Sequence, residues 1–217
     1  MESTVQLKKM RCEFGYLSRP DGSAVFASGN SMVLAAVYGP CEVKPQKMMI
    51  DKATVEVFYK PKSGAPSIAD KLKESMLNNV CKSAILSSEY PRTSISIIVQ
   101  EMQSSGTLLS SSVNAACLAL MDAGVPLKFL VAAVTCIVNS QDELVLDPDE
   151  REMKDYKAIF TIVFDGVDKN VVASKIEGEF TKEQFDLALE FCREASLSIF
   201  KFYREVVRKA AHSIVST

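Results

Sequence analysis

The order of apolar and polar positions along this chain predicts a run of strands interrupted by three helices. Ser23 to Ala27 and Ser31 to Tyr38 are apolar runs on either side of Gly29-Asn30, a pair that favours the turn of a β-hairpin. Ala53 to Tyr59 has period two, with Val55, Val57 and Tyr59 on one face, so it reads as a strand. Lys60 to Pro66 breaks that pattern with Pro and Gly and reads as a loop. Ser67 and Asp70 form a capping pair, and Leu72, Met76, Val80 and Ala84 then recur at helical spacing. Thr93 to Met102 is the next strand. Val113 to Ala123 is a very apolar helix, buried on most sides and stopped by Gly124 with Pro126 beyond.

Phe129 to Val138, Leu144 to Leu146, Tyr156 to Phe164 and Val171 to Ile176 read as further strands, the last two around Asp165-Gly166. Thr181 and Gln184 form a capping box, and Phe180 with Phe185 a hydrophobic staple, at the start of a last helix. Leu187, Phe191, Ala195, Ile199, Phe202 and Val206 give that helix an apolar stripe. This order of elements predicts an α+β or α/β fold with a mixed sheet and helices packed on it. No repeat, low-complexity tract or charged tail interrupts it.

Length and composition narrow the class. The 217 residues suit one large domain or two small ones, and 47% hydrophobic with 24% charged residues is a globular balance. A net charge of −2 argues against a stand-alone nucleic-acid binder, although a local basic patch remains compatible with it. The six cysteines are scattered without a C-x-x-C pair, so buried thiols are expected rather than a disulfide framework or a zinc site. No apolar run reaches membrane-spanning length and no signal segment opens the chain, so no membrane partner and a reducing intracellular compartment are expected.

Candidate chemistry is sparse. His212 is the single histidine, which disfavours a histidine triad or histidine metal cluster, and no Walker loop or dinucleotide fingerprint is present. The segment from Ser104 to Ser112 places Gly106 before a helix start, where free N–H groups and the helix dipole attract anions. A phosphate site there would normally add an Arg fork, yet the chain supplies Leu108 and Leu109. The nearby serines have no adjacent base to activate them. Asp147, Asp149, Glu150, Glu152 and Asp155 follow a strand; they are weak candidates for Mg²⁺ or Mn²⁺, or simply a solvated acidic turn. Lys60, Lys62, Lys71 and Lys73, with Lys44 and Lys47 earlier, are candidate RNA-phosphate contacts or ordinary surface lysines. Arg92 is a candidate RNA ligand or a structural partner for a carboxylate.

Several blocks, taken in order, resemble one family. Arg19-Pro20-Asp21-Gly22-Ser23-Ala24, Leu34-Ala35-Ala36-Val37-Tyr38-Gly39-Pro40, Tyr90-Pro91-Arg92-Thr93, Asn114-Ala115-Ala116, Asp122-Ala123-Gly124-Val125-Pro126 and Leu144-Val145-Leu146-Asp147-Pro148 are similar to segments of the RNase PH family. The resemblance implies one RNase PH-like α+β domain over residues 1–217, of the ribosomal protein S5 domain 2-like type. It also implies a ring of six such domains built from heterodimers, with RNA threading the central channel. Active members cleave RNA from its 3′ end with phosphate as the attacking group.

The same resemblance marks a degenerate site. Active members carry a phosphate-binding Arg in a Gly-Thr/Ser-Arg segment; here that segment is Gly106-Thr107-Leu108. A second Arg, in the preceding helix, falls at Asn78, and two acidic residues six apart fall at Asp147 and Met153. Each charge-assisted bond so lost is worth about 1.5–3 kcal/mol. Leucine leaves the anion desolvated without compensation. The expectation is therefore no catalytic residue and no cofactor in a structural subunit of the RNA exosome ring. Such a subunit would serve 3′-to-5′ RNA processing, including ribosomal RNA maturation, beside RNase PH-like partners in nucleus, nucleolus and cytoplasm. The alternative is an active nuclease, as a homodimer, by Mg²⁺- or Mn²⁺-dependent hydrolysis or residual phosphorolysis.

Overall fold

The computed structural model describes residues 7–215 and contains two sheets rather than one. The first has five strands: β1 Met10–Phe14, β2 Gly22–Ser28, β3 Ser31–Glu42, β4 Thr54–Lys60 and β5 Thr93–Gln103. Their spatial order is β1-β2-β3-β5-β4. The pair β4–β5 is parallel and the rest antiparallel, because the 17-residue helix α1, Ile68–Ala84, carries the chain back between them. The second sheet is antiparallel, in the order β7-β6-β8-β9, from β6 Val131–Asn139, β7 Leu144–Leu146, β8 Tyr156–Asp165 and β9 Val171–Gly178. Helix α2, Leu108–Asp122, contacts β2, β3 and β6, and α3, Lys182–Val215, packs on β6, β8 and β1. Buried residues from both sheets and all three helices form one continuous cluster. Among the described residues no helix is long and apolar enough to cross a membrane.

Local chemistry explains most elements. Gly29 has φ +55°, a conformation that suits glycine, and it turns β2 into β3 with Ser28 opposite Ser31. β6 reads as a nearly unbroken apolar run: it contacts both α2 and α3, and eight of its nine residues are buried. At the start of α3 the Thr181 N–H donates to Gln184 (2.9 Å) and the Gln184 N–H to Thr181 (3.3 Å). The Phe180 and Phe185 rings pack 6.2 Å apart there, as expected.

Three expectations change. The α3 stripe is rotated: Leu187 is 58% exposed, and the buried face is Ala188, Cys192, Ala195, Ser196, Ile199, Phe200 and Tyr203. Small residues let the helix backbone approach the sheet, while larger ones flank the contact. In α1, Leu72 is 61% exposed and the buried residues are Leu77, Val80, Cys81 and Ala84, so only the C-terminal half rests on the core. Helix α2 begins at Leu108, five residues before the apolar run, and is buried from Leu108 through Leu120. Its one large polar residue there is fully paired. Asn114 donates to the Ala133 carbonyl (3.1 Å) and accepts from the Ala133 N–H (2.8 Å) and the Tyr203 hydroxyl (3.0 Å).

Candidate functional site

A groove of about 190 Å³ opens where the start of α2 meets the second sheet. Gly106 precedes the helix with φ +98°, and a Cβ there would lie 2.9 Å from Met153 Cγ. Only glycine fits that turn and that approach together. Thr107 is the N-cap, but its side chain does not cap; its hydroxyl lies 3.5 Å from the Ser31 hydroxyl. Helical bonding begins with the Ser111 N–H donating to the Thr107 carbonyl (3.1 Å). The groove is walled by Leu108, Leu109 and Met153, with Tyr156 beside them. The wall of the groove next to Gly106 is apolar.

Two cations reach this groove that the family comparison did not point to. Lys73 comes from α1 and Lys175 from β9. Each already has a carboxylate: Lys73 pairs with Asp70 at 3.0 Å, and Lys175 with Glu177 at 2.8 Å. Lys73 also lies 5.1 Å from the centre of the Tyr59 ring. Burial, with the Glu101 carboxylate next to it, pushes the Tyr59 phenol above its ordinary range, and its hydroxyl donates to Glu101 at 3.2 Å. An arriving phosphate would have to compete with Asp70 and Glu177 for both lysines.

The other expected site residues scatter. Asn78 does not line the groove. With its amide nitrogen toward the Val55 carbonyl (3.2 Å) and its oxygen toward Lys82 Nζ (3.1 Å), it ties α1 to β4. Asp147 also faces away, at φ +49° just after β7. Its N–H donates to the Thr135 carbonyl (2.9 Å), and its carboxylate accepts from the Ser28 hydroxyl (2.8 Å). Asp149 pairs with Lys8 at 2.6 Å, and Glu152 accepts from the Asp149 N–H at 2.7 Å. These carboxylates point to different partners, and among the described residues no three His, Cys, Asp or Glu side chains converge on a metal position. Glu150 and Asp155 are exposed.

The basic candidates separate into two places. Lys60, Lys62, Lys71 and Lys73 sit where β4 ends and α1 begins, interleaved with Glu74, which pairs with Lys71 at 2.7 Å and accepts from the Tyr59 N–H at 3.0 Å. Arg92 is exposed at φ +61° and lies at the opposite end of β5, eight residues before Gln100, the partner of Lys60. At about 3.3 Å per residue it stands about 26 Å from that end, so Arg92 and the lysines do not make one patch. Lys47 is paired with Glu56.

The comparisons with known proteins bear on family and fold. The profile of the 3′ exoribonuclease family, domain 1, matches residues 6–126, and that of the family's domain 2 matches residues 130–195. The chain belongs to the 3′ exoribonuclease, or RNase PH, family. Within it the ordered sequence blocks carry a particular likeness to the eukaryotic exosome subunit ribosomal RNA-processing protein 46. The Arabidopsis thaliana protein named exosome complex exonuclease RRP46 homolog is 34% identical, over 92% of this chain and 91% of that one. The Caenorhabditis elegans exosome complex component RRP46 homolog is 30% identical over 94% and 95%. The crystal structure of rice (Oryza sativa) Rrp46 superposes with a TM-score of 0.89 at 34% identity, covering 94% of this chain and 96% of that one. The Archaeoglobus fulgidus exosome with RNA bound to its active site shares the fold at a TM-score of 0.80 and 20% identity, over 92% and 89%.

Within this family, sequence reading pointed to Gly106 and Leu108 and named Lys73 as a candidate phosphate contact, but it missed Lys175. Lys175 stands alone in a strand with no motif around it, so only the pairing of β8 with β9 brings it to α2.

Proposed function

We propose that this chain is a non-catalytic subunit of an RNase PH-type exosome ring, with five related chains beside it and RNA passing through the ring. The observation that supports this reading is the groove itself. Leu108 and Met153 flank Gly106, where active family members are expected to place an Arg and an acid, and both groove lysines are held by carboxylates. Phosphoryl transfer relies on positioning and charge stabilisation, and this wall offers little of either. Ile68 and Leu72, 87% and 61% exposed one helical turn apart on α1, are apolar surface for a neighbouring subunit to cover. The proposal extends to processing of ribosomal RNA precursors and to residence in nucleus, nucleolus and cytoplasm.

Reconstitution tests the proposal. A ring assembled from RNase PH-like partners closes with this chain and fails to close when it is omitted. The purified chain leaves 3′-labelled RNA intact with phosphate, Mg²⁺ or Mn²⁺. Phosphate-dependent shortening of that RNA by the pure chain, or normal ring assembly in its absence, would overturn it.

A further inference from the structure

Beside the groove lies a separate, partly open pocket of about 20 Å³, lined by β2, α2, β6 and the turn that carries Asp147. Its polar wall comprises Ser28, Ser110, Ser111, Asn114, Thr135 and Asp147, and Leu7 forms part of its roof. Most of these groups are committed. Ser110 donates to the Thr107 carbonyl (3.1 Å) and accepts from Thr135 (3.0 Å), while Thr135 also meets Thr161 (3.2 Å). Asn114 is taken up by Ala133 and Tyr203. Ser28 donates to Asp147.

Two groups have capacity left. Ser111 is 1% exposed, and its buried hydroxyl has no hydrogen-bond partner among the described residues. Asp147 is 8% exposed, and its carboxylate accepts one side-chain bond and has no ion pair among the described residues. A buried hydroxyl left unpaired is costly, and a carboxylate keeps about four acceptor positions. A water needs roughly 10–15 Å³ and two to four polar partners; this pocket has the volume, and Ser111 with Asp147 supplies two partners on a wall otherwise shared with Met10, Phe26 and Ile199.

We propose that the cavity binds a single structural water, which accepts the Ser111 hydroxyl proton and donates to the Asp147 carboxylate. That water joins α2 to the turn after β7, and through Ser28 to β2. It holds Asp147 at its positive φ, so that Asp147 serves as a structural residue at a position where the family would use an acid. The proposal stands whether or not the chain works in a ring, because its test reads a bound solvent molecule and not RNA.

A crystal structure at a resolution that shows ordered solvent is expected to place one density peak within hydrogen-bond distance of both Ser111 Oγ and an Asp147 oxygen. No density in the cavity overturns the proposal. So does an anomalous peak there in a crystal soaked with thallium(I), which would mean an alkali-type cation as the occupant. Ser111→Ala gives an independent sign test. If water bridges, removing the hydroxyl takes a partner from it, and Tm falls by about 2–4 °C. If the hydroxyl is merely unpaired, its removal leaves Tm unchanged or raises it, and the proposal fails.

Discussion

Helices α1 and α2 begin in opposite ways. At α1, Ser67 accepts from the Asp70 N–H (3.2 Å) and Asp70 accepts from the Ser67 N–H (3.0 Å), a closed capping box with an anion in the first turn. At α2 the Thr107 side chain caps nothing, no acidic residue sits in the first turn, and the end faces a groove. Burial accounts for the difference. The first turns of α1 bury no residue, so its end must be held locally. Helix α2 is buried from its first residue and does not depend on its cap. An uncapped helix end is tolerated where packing has already fixed the helix, and there it is free to serve, or to have once served, a ligand.

If α2 is fixed by its middle, breaking the middle should have the largest effect. Asn114→Ala strands the Ala133 N–H and carbonyl and removes one partner of the Tyr203 hydroxyl. We expect a loss of about 2–4 kcal/mol, seen as a fall in Tm of roughly 5–15 °C. A loss below about 1 kcal/mol would mean that α2 is held by its ends after all.

The next effect concerns the open end. Leu108→Arg places a cation at the positive pole of α2 in a largely buried position. In anion-free buffer it should cost about 1–3 kcal/mol. Tens of millimolar phosphate should return part of that by binding the folded state, while the parent chain responds little. Equal phosphate shifts for both proteins, read by thermal denaturation, would show that Lys73 and Lys175 already suffice.

The same contrast sets how much the sequence disclosed. The boundary between Ser67 and Ile68 was readable because capping is a local code. The Thr181 box and the Phe180–Phe185 staple were readable for the same reason. The start of α2 was readable as a place, from Gly106, but the apolar helical run was read from Val113, five residues late, because Ser110, Ser111 and Ser112 interrupt the apolar pattern and are buried only by the tertiary fold. The α3 stripe was misphased because burial there favours small residues, Ala188, Cys192 and Ser196, over the larger Leu187 and Phe191. In the site, the structure brings Leu108 and Met153, which family spacing singled out, to one groove. Asn78 lies outside that groove, with Val55 of a strand and Lys82 of its own helix as partners. The four-stranded sheet brings Lys175 to the groove from 67 residues away from Leu108, a distance no local pattern encodes.

Two smaller effects isolate the closed end. Ser67→Ala should cost about 1 kcal/mol by opening the box, and it should lower helicity without touching the groove.

The smallest effect is a matter of pH. The Ser67 backbone N–H, then Lys73 and the Ser67 hydroxyl, hold the Asp70 carboxyl down at about 2 against an ordinary value of 3.8. A carboxyl depressed on folding binds its proton more readily in the unfolded chain. Its stabilisation is therefore complete above the ordinary value and is lost as pH falls from about 4 towards about 2. The difference in urea midpoint between the parent chain and Asp70→Asn should be constant from pH 7 to pH 5 and shrink below pH 4. A difference that stays flat down to pH 2.5 would mean that the Asp70 charge adds nothing to the α1 cap. The two helix starts would then differ in hydrogen bonding alone, not in electrostatics.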